Sequence, residues 1–120
     1  MAIKGIFYVF AEVSNLARSK KFYGEILGWA LNTDEKDVAG FAFGSGYLVI
    51  HAATDDPGSP RGSRFYAAVE VDDVDGEHAR LKRLGVEVGD VTDHPWGERN
   101  FFFHDPDGHM WSYGKITRAH

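Results

Sequence analysis

The chain has 120 residues, a formal net charge of −5 at pH 7, 43% hydrophobic residues and no cysteine. The lack of cysteine excludes disulfides, thiolate metal sites and a cysteine nucleophile, and the negative charge argues against nucleic acid as a partner. The length fits one small domain, and we expect a soluble cytoplasmic protein because neither a signal peptide nor a membrane-spanning apolar run is evident.

The first half of the chain predicts a strand, a helix and three further strands. Residues 6–13 are rich in aromatic and β-branched side chains, which is typical of a strand. Ser14 and Asn15 can cap a helix over residues 16–27, and Gly28 can end it. Three more strands are predicted at residues 29–32, 38–43 and 47–53, with a glycine-rich hairpin turn at 44–46.

The second half repeats this order at an offset of 58 residues, which aligns Glu12 with Glu70. Asp72 and Asp73 are the candidate helix caps. The predicted elements are strands at 65–71, 86–91, 99–104 and 110–116, a helix at 74–84 and a loop at 93–98. A period of about sixty residues predicts two modules, 1–54 and 64–120, joined by a polar linker at 55–63.

Each module therefore has the order β-α-β-β-β, and the fold class is α+β. Alternation along a strand places Tyr8, Phe10 and Glu12 on one face, and Tyr66 and Glu70 on the equivalent face of the second module. If each helix covers one side of its sheet, these residues line the other side. We expect the two sheets to form a cupped surface around a shared cleft.

Two segments resemble the vicinal oxygen chelate superfamily, which includes glyoxalase I, extradiol dioxygenases and bleomycin-resistance proteins. They are V-S-N-L-A-R-S-K-K-F-Y-G-E-I-L-G-W at residues 13–29 and F-F-F-H-D-P-D-G-H-M-W at residues 101–111. The resemblance implies paired βαβββ modules in one cupped sheet. It also implies a homodimer.

The resemblance further implies where a metal would bind, because the metal enzymes of the superfamily place one ligand on each of four strands. The matching positions are Tyr8, His51, Tyr66 and Ser112. Only the histidine is an ordinary ligand, since a phenol of pKa about 10 stays protonated near neutral pH. We therefore predict no metal, no cofactor and no catalytic residue.

The segment H-P-W-G-E-R-N-F-F-F-H-D-P-D-G-H at residues 94–109 resembles the non-metal bleomycin-resistance branch. Proteins of that branch bind a drug in a dimer groove and do not transform it. His109 departs from the pattern, because asparagine is common there. The resemblance implies sequestration of a bleomycin-like antibiotic.

The candidate pocket combines aromatic walls with carboxylates and one histidine. Flat aromatic side chains stack on planar ligands, and carboxylates beside them favour a cationic ligand. The predicted ligand-binding residues are Tyr8, Phe10, Glu12, Tyr47, His51, Tyr66, Glu70, Trp96, Phe101, Phe103 and Ser112.

Several alternatives stay open at this point. His51 with Glu12 or Glu70 is the candidate site of a metal-dependent lyase, isomerase or dioxygenase, and His51 with a tyrosine is a candidate general base and acid. Tyr8 and Tyr66 are alternatively core tyrosines, and Trp96 is either a lid or a dimer contact. An accessory domain that binds a protein partner is a further reading. Phe102, Trp111 and His78 are assigned to the structural core.

Overall fold

The computed structural model describes residue 4, residues 6–53 and residues 66–117. The chain divides into two compact units, Met1–Arg61 and Gly62–His120. Within the described residues, each unit contains a four-stranded sheet and a helical segment, which confirms the predicted α+β class. The predicted linker at 55–63 lies outside the described residues, and the shared cleft stays a prediction.

The first unit has the strand order β1-β4-β3-β2. Strands β1 and β4 are parallel, and the other pairs are antiparallel. Its elements are β1 Val9–Val13, α1 Leu16–Lys21, a π-helical segment Phe22–Ile26, β2 Ala30–Asp34, β3 Val38–Phe43 and β4 Gly46–Ala52.

The helix of the first unit begins as predicted but changes geometry after its sixth residue. Asn15 caps it, because its Oδ1 accepts a hydrogen bond from Arg18 N at 3.0 Å. The backbone N of Leu27 then donates to Phe22 O, five residues back, at 2.9 Å. In this wider turn the consecutive rings of Phe22 and Tyr23 are both buried. The helix ends before Gly28, whose φ is 78°.

The second unit has the equivalent strand order β5-β8-β7-β6. Its helix is capped by Asp73, whose Oδ1 accepts from Gly76 N at 2.9 Å. The elements are β5 Tyr66–Glu70, α2 Val74–Arg83, β6 Thr92–His94, β7 Glu98–His104 and β8 Met110–Ile116.

The predicted strand at 86–91 is wrong. This segment contributes one isolated bridge, between Val88 and Phe103, and glycine and aspartate at 89–90 disfavour a longer strand. The edge strand is instead β6, in the region predicted as a loop. It forms a hairpin with β7, closed where Gly97 N donates to His94 O at 3.0 Å and Gly97 adopts a φ of 91°.

In each unit the core lies between the sheet and its helix. Leu48, Ile50 and Phe41 are fully buried in the first unit, as is Leu81 of α2 in the second. Trp111 is 3% exposed, which confirms its predicted place in the core. No helix in the described part of the chain is long and apolar enough to cross a membrane.

One buried hydroxyl group in α1 predicts a stabilising substitution. Ser19 is fully buried, and its Oγ has no hydrogen-bond partner among the described residues. Alanine removes the unpaired group, so we expect Ser19→Ala to raise the free energy of unfolding by about 1 kcal/mol. Urea denaturation followed by circular dichroism measures this. The matched control is Ser14→Ala, which removes an Oγ that accepts from Arg18 Nη2 at 2.9 Å and gives no such gain. A loss of stability in Ser19→Ala would contradict the prediction.

Candidate functional site

The sheet face opposite the helix, called the open face here, carries exposed aromatic and acidic side chains in the first unit. Val13 is buried against the helix side of β1, whereas Phe10 on the alternate face is 55% exposed. The register pairs Glu12 with His51 on the neighbouring parallel strand. Adjacent strands lie about 4.8 Å apart, so the carboxylate and the imidazole are neighbours on this face.

One hydrogen bond indicates the tautomer of the neutral His51 ring. Its Nδ1 lies 2.8 Å from the carbonyl oxygen of Ala52. Because a carbonyl only accepts, Nδ1 carries the hydrogen and the neutral ring has its lone pair on Nε2. The ring centroid is 6.3 Å from that of Phe10. His51 can therefore accept a hydrogen bond or a proton at Nε2.

Tyr47 extends this surface across β3. A Cβ atom built on Gly40 would lie only 2.8 Å from Tyr47 Cζ, so the missing side chain of Gly40 makes room for the tyrosine ring. The hydroxyl groups of Tyr47 and Thr33 are 3.2 Å apart. Tyr47 and Val49 lie on the same strand face as His51, which makes this part of the surface mostly apolar.

The structure shows where two of the four positions implied by the resemblance, Tyr8 and His51, lie within the first unit. His51 pairs with Glu12, whereas Tyr8 precedes Glu12 by four residues. At ~3.3 Å per residue, Tyr8 and His51 are about 13 Å apart along the strands. Among the described residues, no three His, Cys, Asp or Glu side chains group as metal ligands. These donors do not fit a metal ion, so we derive no metal-dependent step.

The open face of the second unit contains Tyr66 and Glu70 of β5, as predicted. Tyr66 is 46% exposed, and its ring meets that of Phe102 edge-on at 5.2 Å. Ser112 also points to this face, because the register pairs it with Ala68 and Phe102. Unlike Tyr66, it is fully buried.

The predicted positions of Phe101 and Phe103 are wrong. Both are buried on the helix side, where their rings lie 5.9 and 5.0 Å from that of Tyr113. Phe102, assigned to the core, is the one that faces outward. Three consecutive phenylalanines do not themselves show which of them faces the core. The polar residues Glu98 and Asn100 alternate with Phe102 along β7, and this alternation places Phe102 on the open face.

Trp96 is held in place by its own hairpin. Its ring stacks on His94 at 4.4 Å with an interplanar angle of 11°, and its Nε1 donates to Glu98 Oε1 at 3.0 Å. Asn100 Nδ2 donates to Glu98 Oε2 at 3.3 Å, and Asn100 Oδ1 accepts from His94 Nε2 at 2.8 Å. We call these four residues the Trp96 cluster. These contacts fix the position of the Trp96 side chain although it is 57% exposed.

Sequence analysis missed three members of this cluster. His94, Glu98 and Asn100 were not selected because their proximity depends on the β6–β7 hairpin. Across the Gly97 turn, the register pairs His94 with Glu98, which places these side chains on one face.

A nearby arginine is engaged on the opposite face of β7. Arg99 donates to Asp75 at 2.8 Å and to Asp93 at 2.7 Å, and these hydrogen bonds raise the pKa of Arg99. The positive charge of Arg99 is therefore paired with Asp75 and Asp93 and does not neutralise the open face. Glu70 and Glu98 lie on that face. The electrostatics favour a positively charged ligand on this face.

Comparison with known proteins shows similarity over nearly the whole chain. A family model described as "Glyoxalase/Bleomycin resistance protein/Dioxygenase superfamily" matches residues 5–113. TnmS3, an antibiotic binding protein from Streptomyces sp. CB03234, is 30% identical with a TM-score of 0.79, and the match covers 97% of this chain and 98% of that one.

Two further solved structures have the same fold. A glyoxalase/bleomycin resistance protein from Streptomyces sp. CB03234 is 29% identical with a TM-score of 0.71, over 90% of this chain and 97% of that one. A glyoxalase/bleomycin resistance protein/dioxygenase from Nocardioides is 24% identical with a TM-score of 0.80, over 100% and 88% of the two chains.

Proposed function

Because this chain belongs to the glyoxalase/bleomycin resistance protein/dioxygenase superfamily, we propose that it binds a planar, cationic small molecule of the antibiotic class and sequesters it unchanged. The observation that carries the proposal is the combination of exposed rings and carboxylates on the open faces. Tyr8, Phe10 and Tyr66 are each about half exposed. Phe10 and Tyr66 lie on the strands that carry Glu12 and Glu70, and Tyr8 directly precedes β1.

Exposed aromatic residues on a sheet are suited to stacking. They are large and rigid, and each stacked ring contributes about 1 kcal/mol beyond the area it buries. Carboxylates beside the rings add attraction for a cation. Several such contacts support micromolar binding without covalent chemistry.

A relative supports the ligand class. TnmS3 is named an antibiotic binding protein, and it matches this chain over almost its full length. The homodimer that the resemblance implies is part of the proposal, and a solution mass of two chains is its check.

Tryptophan fluorescence tests the proposal directly. Trp96 is 57% exposed, whereas Trp29 and Trp111 are 8% and 3% exposed, so a bound ligand affects mainly Trp96. We expect bleomycin-type and other planar cationic antibiotics to quench the emission with a dissociation constant in the micromolar range. Trp96→Phe is expected to remove most of the signal, and mass spectrometry is expected to recover the drug unchanged.

Two outcomes would contradict the proposal. One is a fluorescence signal that does not change at high micromolar drug across the panel. The other is a drug that is converted to a product during the incubation.

Conversion would favour a second candidate function, acid–base catalysis at the Glu12–His51 pair. The adjacency of the two side chains and the lone pair on Nε2 make His51 a suitable general base. The same incubation therefore separates a binding protein from an enzyme.

A further inference from the structure

The second unit contains a small cavity lined by residues of β5, β7 and β8. Its volume is about 190 Å³, below the roughly 300–1,000 Å³ of pockets that hold a whole drug-sized ligand. It therefore fits one functional group. The lining residues are Ala68, Val69, Glu70, Glu98, Gly114, Lys115 and Ile116.

A glycine on the central strand lets one carboxylate reach this cavity. A Cβ atom on Gly114 would lie 3.1 Å from Glu98 Oε2 and 2.9 Å from Asn100 Cβ, so the Glu98 carboxylate lies across the bare backbone of β8. Trp96 and Asn100 donate to its two oxygens at 3.0 and 3.3 Å. Glu98 is thus fixed in position before any ligand binds.

A second carboxylate approaches from the other side. Glu70 of β5 pairs directly with Gly114, and the Glu98 carboxylate reaches over the same glycine from β7. Lys115 also lines the cavity, but its Nζ donates to the carbonyl oxygen of Asp72 at 3.3 Å. The cavity wall therefore carries more negative charge than positive charge.

Ser112 lies behind the cavity wall and shares a strand face with Gly114, two residues along β8. It is fully buried, and its Oγ has no hydrogen-bond partner among the described residues. Its register partner Ala68 lines the cavity, which places the serine beside the cavity wall. The Ser112 hydroxyl group is not exposed to the cavity, so it supports the wall and does not contact a ligand.

From these contacts we propose that the cavity is a subsite for one N–H-bearing cationic group, an ammonium or an amidinium, held by Glu70 and Glu98. The inference rests on the proposed function and names the group that the protein selects. Charge-assisted hydrogen bonds to fixed carboxylates are about twice as strong as neutral ones, so they discriminate a cation from a neutral ligand of the same shape.

A pair of probes with nearly identical shape tests the subsite. Benzamidine is a planar cation and benzamide is its neutral isostere, and titrations of labelled full-length protein by ¹⁵N NMR give both affinities and their location. We expect benzamidine to bind about tenfold more tightly than benzamide. The largest shifts are expected at the amides of Ser112 and Gly114.

Charge-removing variants assign the selectivity to residues. Glu98→Gln and Glu70→Gln are each expected to lower the affinity for benzamidine about fivefold and to leave that for benzamide unchanged. The matched control is Glu87→Gln, an exposed carboxylate outside the cavity, which is expected to change neither affinity. Unchanged spectra elsewhere in each variant show that it is folded.

Equal affinity for the two probes, shifts confined to other residues, or no binding of either probe would each overturn the subsite. An equal loss in Glu87→Gln would also overturn it, because the effect would then come from overall charge. None of these outcomes decides whether the protein binds antibiotics, since that proposal is judged by the drug titration.

Discussion

Phe103→Ala is expected to lower the free energy of unfolding by about 3–5 kcal/mol, the usual cost of emptying a phenylalanine site in a core. Phe103 is 1% exposed, and its ring lies 6.1 Å from that of Phe101 and 5.0 Å from that of Tyr113. The substitution removes these ring contacts and leaves a cavity between the sheet and α2.

The neighbouring phenylalanine is the matched control. Phe102 is one residue away but points to the open face, where it is partly exposed and contacts Tyr66. Phe102→Ala is expected to lower the stability by about 1 kcal/mol, because little of the lost surface was buried against the core. Urea denaturation monitored by circular dichroism measures both variants.

A larger loss for Phe102→Ala than for Phe103→Ala would show that the pairing of β7 with β8 is shifted by one residue. Such a shift reverses every side chain of the strand. It would also remove Glu98 from the face that carries Gly114, so the same comparison tests the geometry of the proposed subsite.

Local chemistry was sufficient to predict both helices and most strands. Asn15 and Asp73 cap their helices through side-chain oxygens, and Gly28 and Gly85 end them with φ values of 78° and 90°. These signals act within a few residues, so they can be read directly from the sequence. The strand predicted at residues 110–116 matches β8 residue for residue.

The errors arose where structure depends on distant pairing. β6 is a strand because it pairs with β7 across the Gly97 turn, and its own three residues carry no strong strand signal. The pairing of Phe102 with Ser112 likewise determines which of the three phenylalanines face the core.

The residues of the candidate site were likewise predicted where strand alternation was sufficient and missed where distant pairing was needed. Alternation along β1 and β5 correctly placed Phe10, Glu12, Tyr66 and Glu70 on the open faces. The Trp96 cluster was missed because it forms only when the hairpin register is known. The ligand positions inferred from the resemblance did not account for the pairing of Glu12 with His51.

The turn between β7 and β8 gives the second large expected effect. Asp105 is 5% exposed, and its Oδ1 accepts hydrogen bonds from the backbone N of Asp107 at 2.9 Å and of His109 at 2.8 Å. Asp105→Ala removes this acceptor and leaves both N–H groups without it. Hydrogen bonds to a charged group contribute about 1.5–3 kcal/mol each, so we expect a loss of about 3–6 kcal/mol for the two.

Asp105→Asn is the control, because it keeps an oxygen at Oδ1 and loses only the charge. We expect it to be about 1 kcal/mol less stable than the wild type, with thermal denaturation as the measurement. An Asn variant as unstable as the Ala variant would contradict the argument that the acceptor atom itself holds the turn.

The same turn also affects the ligand face, because it fixes the register of the hairpin that carries Glu98 and Gly114. The backbone bond from Asp105 N to His109 O, at 2.9 Å, closes the β7–β8 pairing at this end. At a temperature where Asp105→Ala is still folded, we expect weaker binding of benzamidine than in the wild type, and ¹⁵N shifts that spread from the turn toward Ser112. Unchanged benzamidine affinity in that variant would show that β7 and β8 keep their register near Glu98 without the turn.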